Sequence, residues 1–157
     1  LMVLANWATL LDVDPEALNH WFWVGFVDAY DWVVEPNVLA MGTFGVGDVM
    51  TTKPYVSGSA YIGKMGDACQ TCRFGPKTCP MTSLYWAFLG RHEERLSTNP
   101  RMRMIYGSYR RRSEAKRRLD QSTFERVSEA LTAGETLVPD PAGGDAPLVG
   151  QPSLFQG

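Results

Sequence analysis

Apolar positions set a helical beat from the first residue. Val3, Leu4, Trp7, Leu10 and Leu11 recur at helical spacing, which predicts the tail of a buried helix over 1–11. Asp12 to Asp14 interrupts it. Asp14-Pro15-Glu16 then reads as a helix start. Asp14 can cap, Pro15 suits a first turn whose N–H has no partner anyway, and Glu16 favours the positive end of the dipole. The second helix is predicted from Pro15 to about Val34. Trp21, Phe22, Trp23, Phe26, Tyr30 and Trp32 fall on several of its sides, the pattern of an element packed all round rather than a surface amphipath. Glu35-Pro36-Asn37 should end it, because the residue before a proline is pushed out of the helical region.

From Val38 to Lys64 glycines, Pro54, serines and threonines predict ordered loops, with Phe44, Tyr55 and Tyr61 as anchors. A cysteine segment runs from Cys69 to Pro80. Helical patterns return over 81–97, 100–112 and 113–132. No sustained two-residue alternation occurs, so the expected fold is all-α with little or no sheet. After Gly134 the composition shifts to Pro, Gly, Ala and Asp. Residues 1–132 are therefore expected to form one helical domain and 133–157 a flexible tail.

Composition narrows the class. The 157 residues are 45% hydrophobic with a formal net charge of −2, ordinary for a globular, cytoplasmic chain with one real core. No run approaches the roughly 20 apolar residues of a spanning helix, and the opening segment lacks the basic flank of a signal peptide. A start at Leu1 inside an apolar run suggests a piece of a longer polypeptide. The mild net charge hides an asymmetry. Arg91 to Arg118 holds ten of the fifteen Lys and Arg residues, with Tyr106 and Tyr109 interleaved. Arg110, Arg111, Arg112 and Lys116 are its candidate phosphate contacts, against the commoner meaning of a solvated helix face.

Three cysteines within eleven positions are a poor disulfide framework and a better metal or cluster site. Cys69-x2-Cys72-x6-Cys79-Pro80 leaves one of four coordination positions to find. Within the chain His92 is the reasonable zinc candidate; otherwise the fourth ligand lies elsewhere. Spacing does not separate zinc from iron–sulfur. Asp28, placed inside the apolar second helix, would need a polar ligand or a basic partner if buried. Asn37 is either an amide for a ligand or a plain cap. The aromatic run has two readings, core packing and ring stacking or electron relay. His20 has no histidine neighbour in sequence and is expected outside any metal site.

Taken together, "LMVLANWATLLDVDP", "FVDAYDWVVEPNVLAMGTFG", "MTTKPYVSGSAYIGKM", the cysteine loop and "LYWAFLGRHEERLSTNPRM" resemble the C-terminal region of the iron–sulfur bacterial cryptochromes and photolyases, in the family's order and over roughly 1–118. The resemblance implies the C-terminal part of an all-helical FAD-binding domain, a 4Fe–4S cluster, and light-driven repair of ultraviolet-damaged DNA by a photolyase-type lyase. The implied chemistry is electron donation from a photoexcited reduced flavin, and later recovery of that electron, with (6-4) or related products as the lesion. The lesion would be flipped out of the duplex.

Residue by residue, the resemblance implies flavin contacts for Asp28 and Asn37, with Tyr30, Gly42 and Lys53 from the same loops. Trp21 and Tyr61 match positions of electron transfer, and Trp32 is a further candidate. Cys69, Cys72 and Cys79 match three cluster ligands, the fourth falling upstream of Leu1. The family's histidine pair near the lesion and its antenna domain also fall upstream, so no catalytic residue is expected within the chain and the piece alone is expected to be inactive. A blue-light photoreceptor on the same scaffold, and a zinc-binding nucleic-acid module using Cys69, Cys72, Cys79 and His92, are the alternative readings.

Overall fold

A carboxylate and a proline fix the first helical boundary. In the structure, a computed structural model that describes residues 1–75, 78–139 and 148–150, Asp14 accepts a hydrogen bond from the Ala17 amide at 2.8 Å and Pro15 occupies the first turn of the following helix. The chain divides into two units, each assembled from two stretches: 1–56 with 91–109, and 57–90 with 110–157.

In the first unit α1 (Met2–Leu10) and α2 (Pro15–Gly25) are joined by a turn in which Asp12 takes a positive φ of 55°. The second helix is shorter than its pattern predicted. Gly25, a weak helix former, is its last residue, and Phe26 is extended. Helix resumes as α3 (Asp31–Val34) and does not stop at Pro36. It widens into a π-helical segment, Glu35–Gly42. Wider turns ease the clash between a proline ring and the carbonyl a turn earlier. Asn37 Nδ2 donates to the Val33 carbonyl at 2.8 Å, beside a proline that has no N–H to offer.

Small residues let these pieces close. Ala5, Ala8, Leu18, Phe22, Val34 and Val38 form one core cluster. A Cβ on Gly42 would lie 3.0 Å from the Ala5 Cβ and 3.1 Å from the Asn37 carbonyl, so glycine sets the approach of the π segment to α1. Thr9 Oγ1 donates to the Gly42 carbonyl at 3.3 Å. The aromatic run is not packed all round, however. Phe22 is buried, whereas Trp21, Trp23, Phe26, Tyr30 and Trp32 are exposed, because the break at Phe26 divides the run between two short helices.

The same unit takes in α6 (Glu93–Leu96), a 3-10 turn at Pro100–Met102 and most of α7 (Arg103–Arg110), burying Leu96, Met102, Tyr106 and Tyr109. The single helix predicted over 81–97 pauses at His92, whose backbone leaves helical geometry. The loop after the π segment contains Phe44 at φ 60° and a short 3-10 turn, Gly47–Val49.

The second unit holds α4 (Ser59–Ile62), α5 (Pro80–Arg91, its last residue in the first unit) and α8 (Glu114–Thr132). Met81, Leu84, Ala87, Phe88 and Leu89 of α5 and Thr123, Val127 and Ala130 of α8 are buried. Ser113 caps α8 by accepting from the Lys116 amide. The expected anchors Tyr55 and Tyr61 stand exposed; Ser59 and Thr82 hold that stretch instead, their hydroxyls 2.7 Å apart. Beyond α8, β1 (Thr136–Val138) pairs antiparallel with β2 (Leu148–Gly150), a short ladder within a stretch expected to be flexible. The rest of that expectation, at 140–147 and 151–157, lies outside the described residues. Among the described residues the fold is otherwise helical, and no helix is long and apolar enough to cross a membrane.

Candidate functional site

Breaking the second helix at Phe26 decides where the candidate flavin-side residues stand. Asp28 falls in the exposed turn between α2 and α3, not inside an apolar helix. Its carboxylate therefore needs no buried partner, which corrects the sequence expectation. Tyr30 and Trp32 flank the start of α3 as a near-parallel pair, their ring centroids 6.3 Å apart and planes 9° apart. Trp32 is 77% exposed. Trp21 meets Phe22 and Phe26 edge-on at 5.1 and 5.9 Å, and Phe26 stacks on the buried Phe22 at 5.3 Å. A ladder of rings thus runs from core to surface. Asn37 and Gly42 lie on the π segment, and Lys53 is half-buried in the loop beyond it.

These residues suit a flat aromatic cofactor in kind. Asp28 is flanked by exposed apolar side chains, with Val27 fully exposed and Tyr30 at 60%. Asn37 uses its NH2 group on the Val33 carbonyl, while its Oδ1 meets no donor among the described residues.

Two further clusters were not legible beforehand. Asp12, turned outward by its positive φ, accepts from Arg91 Nε at 2.7 Å and pairs with His92 Nε2 at 3.0 Å, while Arg91 Nη2 donates to the Leu10 carbonyl. Burial acts to raise the Asp12 pKa, but the hydrogen bonds from His92 and Arg91 and the charge of Arg91 outweigh it, and the net shift is downward. In the second unit Arg112 forms a two-pronged ion pair with Asp120, Nε to Oδ2 at 2.5 Å and Nη2 to Oδ1 at 2.8 Å. Asp120 is only 1% exposed. The Arg112 guanidinium also lies 5.1 Å from the Trp86 ring centroid. Of the four candidate phosphate contacts, Arg110, Arg111 and Lys116 are exposed; Arg112 is committed to Asp120 and Trp86.

The cysteines lie in the second unit. Cys69 and Cys72 are exposed and Cys79 is half-buried. Burial pushes the Cys79 thiol up; the Met81 amide opposes this, and the nearby Cys72 and Cys69 add to it. The three sulfurs thus feel one another. Among the described residues, however, no three Cys, His, Asp or Glu side chains converge enough to hold a metal ion. The soft donor set fits an iron–sulfur cluster in kind and falls one ligand short, while the described geometry does not gather it. The zinc set of Cys69, Cys72, Cys79 and His92 is not assembled, because His92 Nε2 is engaged by Asp12 in the other unit.

A mostly helical chain with this loop order is consistent with the C-terminal helical domain of a photolyase. The sequence is 42% identical over 120 residues, 73% of the chain, to a (6-4) photolyase of Agrobacterium fabrum. It is also 39% identical over 66 residues, 42% of the chain, to the uncharacterized protein R855 of Acanthamoeba polyphaga mimivirus. The matches span 24% of the first relative and 54% of the second. No protein-family profile matches the chain. The similarity to the (6-4) photolyase supports membership of the photolyase/cryptochrome family.

Proposed function

We propose that the chain forms the C-terminal, flavin-binding helical part of a light-driven DNA photolyase of the iron–sulfur bacterial branch, acting on (6-4) or related lesions. The 42% identity over 120 residues to a (6-4) photolyase carries this reading. FAD, when bound, supplies the photochemical electron transfer, and the polypeptide supplies binding, orientation and electrostatics. Asp28 accepts hydrogen bonds from the cofactor at the α2–α3 turn, and Asn37 presents its Oδ1. Tyr30, Gly42 and Lys53 complete that side, with Gly42 keeping the π segment close to α1. Trp21 and Trp32 in one unit and Tyr61 in the other are oxidisable rings suited to passing electrons. Cys69, Cys72 and Cys79 would supply three of the four thiolates of a 4Fe–4S cluster, the fourth ligand lying outside this set. Arg110, Arg111 and Lys116 meet the phosphates of ultraviolet-damaged DNA.

A blue-light photoreceptor uses the same cofactor residues, so repair is the discriminating readout. The test takes the polypeptide that carries this chain, purified in the dark. Flavin and iron in stoichiometric amounts, with lesion loss from a (6-4)-containing oligonucleotide only under blue light, support the proposal. Flavin without repair favours the photoreceptor. Zinc in place of iron, with no absorbance near 400 nm, removes the cluster from the reading.

A further inference from the structure

The first unit contains a cleft of about 600 Å³ lined by Phe44, Asp48, Thr52, Arg95, Thr98 and Arg101, among others, a lining that includes none of the residues assigned to the flavin or to the Arg110–Lys116 run. Its walls are tied together. Asn99 Nδ2 donates to the Thr52 carbonyl at 2.7 Å, joining the loop after the π segment to the turn before α7. Asn99 Oδ1 accepts from the Arg101 amide at 2.9 Å, and Thr98 Oγ1 donates to the Arg95 carbonyl at 3.1 Å. The backbone around both arginines is thus held in place.

The two guanidinium groups are another matter. Both arginines are exposed, and neither guanidinium has a hydrogen-bond or ion-pair partner among the described residues. Arg91, Arg112 and Arg118, by contrast, are committed to carboxylates: Arg91 to Asp12, Arg112 to Asp120 and Arg118 to Glu114. The one carboxylate in the cleft lining, Asp48, pairs with neither, and the lining keeps an excess of one positive charge. Arginine's planar fork matches phosphate oxygens two at a time, and the exposed Thr52 hydroxyl in the same lining is a further donor.

We infer that this cleft is a phosphate-binding site, formed by Arg95 and Arg101, for a phosphate-bearing ligand: a nucleic-acid strand or a free nucleotide. The inference does not depend on the photolyase reading, since it needs only the unpartnered arginines, the cleft and the tied walls.

The test uses the full chain with two probes, a short labelled single-stranded oligothymidylate and inorganic pyrophosphate. Each phosphate contact to a single strand adds about 0.7 to the salt slope, so removing two lowers it by about 1.4 and weakens binding roughly twentyfold near 0.1 M salt. R95Q/R101Q should show that loss, and R95K/R101K should recover part of it. Both side chains are exposed and unpartnered, so an unchanged melting temperature and circular dichroism spectrum will show that the fold persists. R110Q/R111Q serves as the comparison pair. If it alone weakens the oligonucleotide while R95Q/R101Q leaves the affinity for both probes unchanged, the cleft is not a phosphate site. Loss of both probes in R95Q/R101Q assigns the cleft to a nucleic-acid strand. Loss of pyrophosphate alone assigns it to a free nucleotide. Absence of repair activity in the parent polypeptide overturns the photolyase reading without touching either result.

Discussion

Arg112 is the residue whose role the structure changes most, and the change has a measurable size. Sequence placed it in a basic run beside Arg110 and Arg111. The structure pairs it with Asp120, which is 1% exposed, through two hydrogen bonds of 2.5 and 2.8 Å. Removing one partner of a buried pair leaves an uncompensated charge, a cost of about 3–5 kcal/mol. The contact with Trp86 adds roughly 0.5–1 kcal/mol at a partly exposed site. Arg112→Ala should therefore destabilise the chain by about 4 kcal/mol. At about 2–4 °C per kcal/mol for a domain of this size, the melting temperature falls by roughly 8–16 °C.

Urea unfolding of the wild type, Arg112→Ala, Asp120→Ala and the double variant closes a cycle that isolates the pair. The double variant should be no worse than either single one, because it leaves no orphan charge. Oligonucleotide binding of Arg112→Ala, measured well below its melting temperature, should keep the wild-type salt slope. A loss under about 1 kcal/mol, the size of an exposed pair, together with a shallower salt slope, would refute the assignment and return Arg112 to the phosphate-contacting set.

The remaining predictions rest on separate features. Asp12, whose folded pKa lies below its unfolded value near 3.9, contributes stability that is fully present above that value and lost as pH falls through the lower folded pKa. Asp12→Asn should flatten the acid limb of the stability–pH curve below about pH 4, read by unfolding at each pH, and an unchanged limb would show that Asp12 is not its source. Gly42→Ala forces a Cβ to 3.0 Å from the Ala5 Cβ and should cost about 1–3 kcal/mol, whereas Gly25→Ala at the end of α2, where a Cβ meets nothing within 4 Å, should gain up to about 1 kcal/mol in thermal melts. In the metal-free chain iodoacetamide should label Cys69 and Cys72 before Cys79, because burial keeps the Cys79 thiol protonated; peptide mass spectrometry gives the order, and Cys79 reacting first would contradict it.

Local signals with short range were legible. Asp14 and Pro15 set the start of α2, and Ser113 the start of α8, because a cap needs only its own next turn. The all-helical class followed from periodicity. Signals that depend on competition between neighbours were not. Proline at 36 reads as a stop, yet the helix continues through it as a π segment, with the Asn37 side-chain amide donating to the Val33 carbonyl. Gly25 reads as tolerable inside an aromatic helix, yet that helix ends there. The second error carried into the site, since Asp28 passed from a supposed interior carboxylate to an exposed one on a turn. Long-range pairs such as Arg91 with Asp12 have no spacing signature at all.

The division into two units gives the site assignments their order of dependence. Asp28, Tyr30, Asn37, Gly42 and Lys53 all belong to one unit, and the three cysteines with Tyr61 to the other. Only the first set can be tested by flavin binding, and only the second by metal analysis. Trp21 ties the first set to its own core through Phe26 and the buried Phe22, so a change at Phe22 should disturb Trp21 fluorescence as well as stability. The cysteines have no such anchor among the exposed Cys69 and Cys72; only Cys79, beside the buried Pro80 and Met81 at the start of α5, is fixed by packing. If a cluster organises this segment, its ligation must supply the order that packing does not. Iron loading should then protect the 67–75 amides from hydrogen exchange while leaving those of α5 nearly unchanged.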